Sequence, residues 1–165
     1  MTKQLIAIPA WNESGSVASV ISNVKEVVPH ALVLVINDGS TDNTEAVARA
    51  AGATTLSLPF NVGVGGAMRT AFLYARREGF TSLVQVDADA QHDPGEIPRL
   101  LDALDASDVV VGTRFHPDST YRVRGPRRWA MSLLSWSLSR MAREKITDTT
   151  SGFRAAGPRA IDLFA

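Results

Sequence analysis

The sequence contains no cysteine. This absence excludes a disulfide, a zinc site built on cysteine and a thiol nucleophile. No apolar run approaches the ~18–20 residues of a membrane span. The apolar run after Lys3 ends at Pro9 and is too short for a signal peptide. We therefore expect a cytoplasmic protein without a membrane anchor of its own.

An excess of charge is also absent, because 17 Lys and Arg balance 17 Asp and Glu. This balance argues neither for nor against nucleic acid, and we predict no nucleic-acid partner. The charges are segregated, however. Residues 85–108 hold seven acids against one arginine, and residues 114–128 hold five arginines against one acid. An acidic segment followed by a basic one suits a ligand that carries several phosphates.

Short apolar runs alternate with segments of helical spacing along the chain. The runs predict strands at 4–8, 31–36, 53–58, 83–86 and 109–112. The spacing predicts helices over 14–28, from Asp42 to Gly52, from a glycine-rich turn at 61–66 to Gly79, and over 94–104. We therefore predict one α/β domain, residues 1–165, with a Rossmann-like, mostly parallel sheet flanked by helices.

Polar side chains follow every predicted strand. In a parallel sheet the carboxyl ends of the strands form one edge, where ligands bind. The residues at this edge are Trp11, Glu13, Asn37, Asp38, Asn61, Asp87, Asp89, Gln91 and Arg114. Their shared position favours a binding site there.

Asp87, Asp89 and Gln91 follow the fourth predicted strand at a spacing of two. In an extended chain these three side chains point to one side. Carboxylate and amide oxygens suit Mg²⁺ or Mn²⁺ that also contacts a bound phosphate. The alternative is a solvated Asp-rich turn, and the polar edge of the sheet favours the metal site over it.

The glycine-rich turn at 61–66 (NVGVGG) has neither the spacing of a dinucleotide-binding loop nor the Lys-Ser/Thr of a phosphate-binding P-loop. Two interpretations stay open. Either the glycines allow a helix to start close to the sheet, or their backbone contacts a phosphate directly.

Six short segments occur in the order 8–13 (IPAWNE), 37–42 (NDGSTD), 61–67 (NVGVGGA), 87–92 (DADAQH), 112–114 (GTR) and 148–154 (DTTSGFR). In this order the segments resemble the family-two glycosyltransferases of GT-A fold. Within that family they resemble the dolichol- and polyprenol-phosphate mannosyltransferases. The resemblance covers essentially the whole chain.

The resemblance implies a nucleotide-sugar donor, GDP-mannose or a UDP-hexose, and a divalent ion, Mg²⁺ or Mn²⁺, held by Asp87, Asp89 and Gln91. Donor contacts are implied for Pro9, Ala10, Trp11, Glu13, Asn37, Asp38, Gly39, Asn61, Asp87, Ala88 and Asp89. Asp89, Arg114 and Arg128 are the implied catalytic residues, the two arginines serving the donor and acceptor phosphates.

Three features depart from the family pattern. Asn37 stands where the family usually has Asp, and Trp11 replaces the commoner Tyr, a conservative change for stacking. The chain also ends at Ala165, soon after the last motif. We expect further C-terminal residues or a partner subunit to complete the acceptor side.

The spacing of apolar residues over 127–145 predicts a C-terminal amphipathic helix with a wide and a narrow apolar stripe. The narrow stripe contains Trp129, Leu133 and Trp136 and is flanked by arginines, which suits peripheral contact with a membrane. A dimer contact or a surface covered by other residues remains an equal alternative.

The function predicted from the sequence is metal-dependent, inverting transfer of a hexose to a polyprenyl phosphate at the cytosolic face of a membrane. Mannose from GDP-mannose is the favoured donor sugar. A transferase acting on a hydroxyl acceptor and a non-catalytic nucleotide-sugar-binding module are the alternatives.

Overall fold

The computed structural model describes residues 3–112 and 152–165. Residues 1–110 and 153–165 form one compact unit, and residues 111–152 form a second. Nearly all the described residues belong to the first unit, which contains the sheet and the candidate site. The assignment of residues 1–165 to one domain remains a prediction.

The first unit is built around a six-stranded sheet. Its strands are β1 (Gln4–Ala10), β2 (Leu32–Asn37), β3 (Thr54–Ser57), β4 (Ser82–Gln85), β5 (Val109–Val111) and β6 (Arg154–Ala156). Their order across the sheet is β3-β2-β1-β4-β6-β5. The β1–β2, β1–β4 and β2–β3 pairs are parallel. The predicted mostly parallel α/β sheet is confirmed.

Among the residues that the structure describes, five helices accompany these strands. They are α1 (Val17–Val27), α2 (Thr44–Ala50), α3 (Gly63–Arg77), α4 (Ile97–Ala103) and α5 (Pro158–Phe164), and a 3₁₀ turn at Pro94–Glu96 precedes α4. The observed bounds of α1 to α4 differ from the predicted ones by a few residues. The predicted C-terminal helix at 127–145 lies outside the described residues.

Both faces of the central strands are buried, as their uniformly apolar sequences predict. Along β1, Leu5 and Ala7 belong to a core that includes α3 and α5, whereas Ile6 and Ile8 belong to a core that includes α1. Alanines at four-residue spacing on α3 let that helix lie close to the sheet: Ala67, Ala71 and Ala75. Full burial of one Leu or Ile side chain stabilises the fold by about 1.5–3 kcal/mol.

The sequence analysis predicted neither helix α5 nor strand β6. Strand β6 pairs antiparallel with β4, where Leu83 lies opposite Ala156 and Gln85 opposite Arg154. Only three residues long, it lies between β4 and β5 although it follows both in the chain. This pairing brings Phe153, from the last of the six motifs, next to the exit of β4.

Candidate donor site

An open cavity of about 470 Å³ lies at the carboxyl edge of the parallel strands. Its volume falls within the usual range of small-molecule sites, about 300–1,000 Å³. The lining residues come from the exits of β1, β2, β3 and β4: Pro9, Ala10, Trp11, Glu13, Asp38, Asn61, Gly63, Val64, Asp87, Ala88 and Asp89. The fold therefore brings together residues that are as far apart in sequence as Pro9 and Asp89.

The exit of β1 contributes an aromatic ring and a carboxylate. Trp11 is 54% exposed, so much of its ring is available to stack on a ligand. Glu13 accepts a hydrogen bond at 2.6 Å from the hydroxyl of Ser16, at the start of α1. Asn12, between the two, has a φ of 57°, a left-handed conformation that Asn adopts more readily than most residues.

Asp38, at the exit of β2, is buried, and its carboxylate is tied to the turn before α3. Its Oδ1 accepts from the backbone N–H of Val62 at 2.8 Å, and its Oδ2 accepts from that of Gly63 at 2.9 Å. Gly63 also donates to Asn61 Oδ1 at 3.0 Å. At the start of the glycine-rich turn, the backbone N–H groups of Val62 and Gly63 are therefore hydrogen-bonded to protein oxygens. Of the two interpretations of this turn, the bonds favour close packing of the helix start over direct contact with a phosphate.

Asp87 and Asp89 line the cavity from a turn, because β4 ends at Gln85. The turn includes Ala90 with a φ of 61°, and Asp89 Oδ1 accepts from the Gln91 backbone N–H at 3.0 Å. We expected residues 87–91 to be extended, with the side chains of residues 87, 89 and 91 on one side. This segment instead forms a turn. Gln91 is exposed and is not among the lining residues; its role as a metal ligand remains a prediction.

His92 supports this turn from the interior. Its side chain is buried, and its Nδ1 accepts a 3.3 Å hydrogen bond from the backbone N–H of Asp87. Its Nε2 lies 3.7 Å from Asp87 Oδ2. The imidazole also stacks on Phe153, with ring centroids 5.1 Å apart. His92 thus connects Asp87, one of the carboxylates predicted to bind the metal, to the residue just before β6.

Asn37 and Gly39, expected to contact the donor, are not among the lining residues. Asn37 is buried, donates to Ser57 Oγ at 3.2 Å and accepts from the Ser40 backbone N–H at 3.1 Å. Gly39 has a φ of 67°, and a Cβ added there would lie 2.6 Å from the backbone carbon of Phe60. Both residues hold the strand exits together, and their donor contacts remain predictions.

The charge of the cavity bears on the predicted metal. Four carboxylates line it, from Glu13, Asp38, Asp87 and Asp89, and none of the described residues lining it is Lys or Arg. Among the described residues, those of the cavity included, no three His, Cys, Asp or Glu side chains converge as a metal cluster. Mg²⁺ needs only one or two carboxylates, with water and phosphate oxygens completing its ligands. Asp87 and Asp89 fit that kind of site.

Two lining residues were absent from the predicted site, Gly63 and Val64. Their position just after Asn61 in the glycine-rich motif was the available signal. The predicted catalytic residues Arg114 and Arg128 lie outside the described residues, so their roles remain predictions.

A sequence profile of the family described as "Glycosyl transferase family 2" matches residues 5–162. The chain belongs to this family. The resemblance inferred from the six motifs is therefore confirmed. Family membership accounts for the combination of a mostly parallel sheet with a carboxylate-lined cavity at its carboxyl edge.

Two relatives share 35% sequence identity with this chain. One is the polyprenol monophosphomannose synthase of Mycolicibacterium smegmatis, in an alignment of 164 positions, gaps included, that covers 93% of this chain and 61% of the relative. The other is the undecaprenyl-phosphate mannosyltransferase of Micrococcus luteus, in an alignment of 177 positions, gaps included, that covers 98% of this chain and 70% of the relative. This chain thus spans less than three quarters of either relative.

The fold also matches a solved structure, glucosyl-3-phosphoglycerate synthase from Mycobacterium tuberculosis in complex with Mn²⁺, UDP-glucose and phosphoglyceric acid. The TM-score is 0.72 at 25% identity, covering 94% of this chain and 57% of the synthase. This match supports the GT-A architecture of the family 2 chain. In the part of the chain that the structure describes, no helix is long and apolar enough to span a bilayer.

Proposed function

We propose that this chain is a glycosyltransferase that binds a nucleotide sugar in the cavity and transfers its hexose to a polyprenyl phosphate. The observation that carries the proposal is the cavity itself, where an exposed Trp11 and the carboxylates of Asp87 and Asp89 line one space. Both relatives at 35% identity have names that specify mannosyl transfer to a polyprenyl-type lipid. Mannose is therefore the favoured sugar, with GDP-mannose the donor that the family resemblance implies, whereas the Mn²⁺ and UDP-glucose in the solved synthase support a UDP-hexose as the second candidate.

The carboxylates support a metal-dependent donor site. A nucleoside diphosphate is anionic, so a cavity lined by four carboxylates would repel it unless a cation lies between them. Asp87 and Asp89 are the residues that would hold Mg²⁺ or Mn²⁺, and Gln91 would join them if its loop moved. A bound divalent ion would supply positive charge that stabilises the diphosphate leaving group.

The reaction breaks the bond between the anomeric carbon and the diphosphate oxygen of the donor. An oxygen of the lipid phosphate forms the new bond from the opposite face, which inverts the anomeric centre. The lipid phosphate is already anionic and needs no general base, whereas a hydroxyl acceptor would require one. Trp11 would stack on the base of the donor, and Arg114 and Arg128 would neutralise the phosphates.

Calorimetric titration tests the donor site. GDP-mannose and UDP-glucose are each added with Mn²⁺, with Mg²⁺ and without metal, to the wild-type chain, to Asp89→Ala and to Asp102→Ala. Asp102 is an exposed acid on α4, away from the lining, and serves as the matched control. We expect metal-dependent binding of one donor, weakened by more than about 10-fold in Asp89→Ala and unchanged in Asp102→Ala.

The acceptor is tested separately, by incubation of the labelled donor with undecaprenyl phosphate or with 3-phosphoglycerate. Label in the lipid extract would support the polyprenyl phosphate as acceptor. Label in the phosphoglycerate would show that phosphoglycerate, and not the lipid, is the acceptor. Donor binding without transfer to either acceptor would favour the non-catalytic nucleotide-sugar-binding module.

We also propose peripheral contact with the membrane that holds the acceptor, through the helix expected at 127–145. This segment lies outside the described residues, so the proposal rests on its sequence. Liposome co-sedimentation of the wild-type chain and of a variant with Trp129→Ser and Trp136→Ser tests it. Equal sedimentation of the two proteins would exclude this role.

A further inference from the structure

Two loops at the edge of the cavity are joined by an unusually complete set of hydrogen bonds. Three consecutive backbone N–H groups after β1 donate to three side chains, two from the loop before α2 and one from the first residue of α2. Asn12 donates to Ser40 Oγ at 2.9 Å, Glu13 to Thr44 Oγ1 at 2.9 Å and Ser14 to Asp42 Oδ2 at 3.1 Å. In the opposite direction, the backbone N–H of Thr41 donates to Asn12 Oδ1 at 2.8 Å.

Thr44 is the centre of this set. It is fully buried, and its hydroxyl oxygen accepts from Glu13 while its proton is donated to Asp42 Oδ1. The same carboxylate oxygen accepts from the Thr44 backbone N–H at 3.0 Å. Hydrogen bonds from Thr44 and then from Ser14 hold the pKa of Asp42 well below its ordinary value, so Asp42 is ionised at neutral pH. Bonds to an ionised acceptor are stronger than neutral ones.

The loop held in this way carries the two cavity residues from the exit of β1. Trp11 and Glu13 flank Asn12 and both line the cavity. Trp11 is 54% exposed, so burial contributes little to its orientation. The left-handed Asn12 between them is an unfavourable conformation that must be held by its surroundings. The hydrogen bonds to the second loop are the contacts that hold it.

We propose that Thr44, acting with Asp42, is a positioning residue that sets the orientation of Trp11 and Glu13 toward the donor. Neither Thr44 nor Asp42 lines the cavity, so both act through the backbone of residues 12–14. The identity of the donor rests on the proposed function, whereas the ordering of Trp11 does not.

The competing explanation is that Thr44 only stabilises the start of α2. Removal of its hydroxyl would then lower the melting temperature and leave Trp11 and the donor affinity of the folded protein unchanged. Thr44→Val removes the hydroxyl at nearly constant size, and Thr44→Ser retains it. The two variants therefore form a matched pair.

The experiment uses the chain with Trp129→Phe and Trp136→Phe, which leaves Trp11 as the sole tryptophan. Acrylamide quenching and fluorescence anisotropy of Trp11 are measured without ligand, well below the melting temperature of each variant. Calorimetry with GDP-mannose or UDP-glucose and Mn²⁺ follows on the same variants with Trp129 and Trp136 restored. We expect Thr44→Val to increase Trp11 mobility and to weaken donor binding by about 10-fold, with Thr44→Ser close to wild type.

Unchanged Trp11 mobility in folded Thr44→Val would overturn the proposal, whatever its melting temperature. Greater mobility with unchanged affinity for a donor that the wild type binds would also overturn it. If the wild type binds neither donor, the proposed function fails, and the fluorescence result still decides the ordering of Trp11. If Thr44→Val does not fold, Asp42→Asn replaces it, since this change weakens the acceptor of both Thr44 and Ser14 without altering its shape.

Discussion

Replacement of Gly39 by Ala tests how closely the exits of β2 and β3 approach each other. A Cβ at this position would lie 2.6 Å from the Phe60 backbone carbon and 2.7 Å from the Asn61 backbone nitrogen. Both contacts are far shorter than a van der Waals distance, and both involve backbone that cannot rotate away. The exits must therefore separate, which moves Asn61 in the cavity lining.

The cost has two parts. A φ of 67° costs a residue with a Cβ roughly 1–2 kcal/mol. The backbone shift costs about 1–3 kcal/mol, as for other overpacked sites. The sum is about 2–5 kcal/mol, which lowers the melting temperature of a domain of this size by roughly 4–20 °C.

Gly79→Ala is the matched control, because Gly79 also has a positive φ, 71°, but its added Cβ would meet nothing within 4 Å. Gly15→Ala, with open space and no positive φ, controls for the general effect of alanine. Thermal denaturation followed by circular dichroism measures all three variants. If Gly39→Ala and Gly79→Ala lose the same stability, the close approach of the two exits does not constrain the fold and the reasoning is wrong.

Three further changes test the contacts around the cavity. Asp38→Ala removes the acceptor of the Val62 and Gly63 amides, and we expect denaturant unfolding to show a loss of about 2–4 kcal/mol; a loss near zero would mean that water replaces the carboxylate. His92→Phe keeps the stacking on Phe153 but removes the acceptor of the Asp87 amide. We therefore expect weaker metal-dependent donor binding with little change in melting temperature. A lower melting temperature with unchanged donor affinity would make His92 a packing residue. The pKa of Asp42 is lower in the folded protein than in the unfolded chain. Ionised Asp42 therefore stabilises the fold at pH values above the unfolded pKa of about 3.9, and this contribution is lost as the pH falls toward the folded pKa. Melting temperatures measured from pH 7 to pH 2.5 should therefore fall more steeply below about pH 4 in the wild type than in Asp42→Asn, and parallel curves would contradict this assignment.

Local sequence was sufficient for most of the sheet. β1 and β2 are apolar at almost every position, and a strand buried on both faces requires that pattern. Helices follow the strands at short intervals, which leads to parallel pairing and to a ligand edge at the carboxyl ends. Six of the eleven lining residues could thus be named from their place at the strand exits, and the family resemblance implied three more, Pro9, Ala10 and Ala88.

The conformation after β4 was predicted less well. The spacing of Asp87, Asp89 and Gln91 suggested an extended row, but the segment turns at Ala90. Asp89 accepts from the amide two residues later, an alternative to strand pairing that Asp side chains commonly offer. An Asp-rich segment is compatible with both conformations, and the sequence contains no signal that separates them.

Sequence by itself determined the fold class, the family and the edge of the sheet at which the polar residues gather. Tertiary structure decided which of those residues face the cavity and which hold it together. β6 joins the sheet between β4 and β5, Asp38 binds amides 24 and 25 residues away, and Thr44 holds the loop of Glu13 from 31 residues away. Each of these contacts forms only when the rest of the chain has packed, because its partners share no local pattern. Their positions follow from the packed core and not from the residues around them.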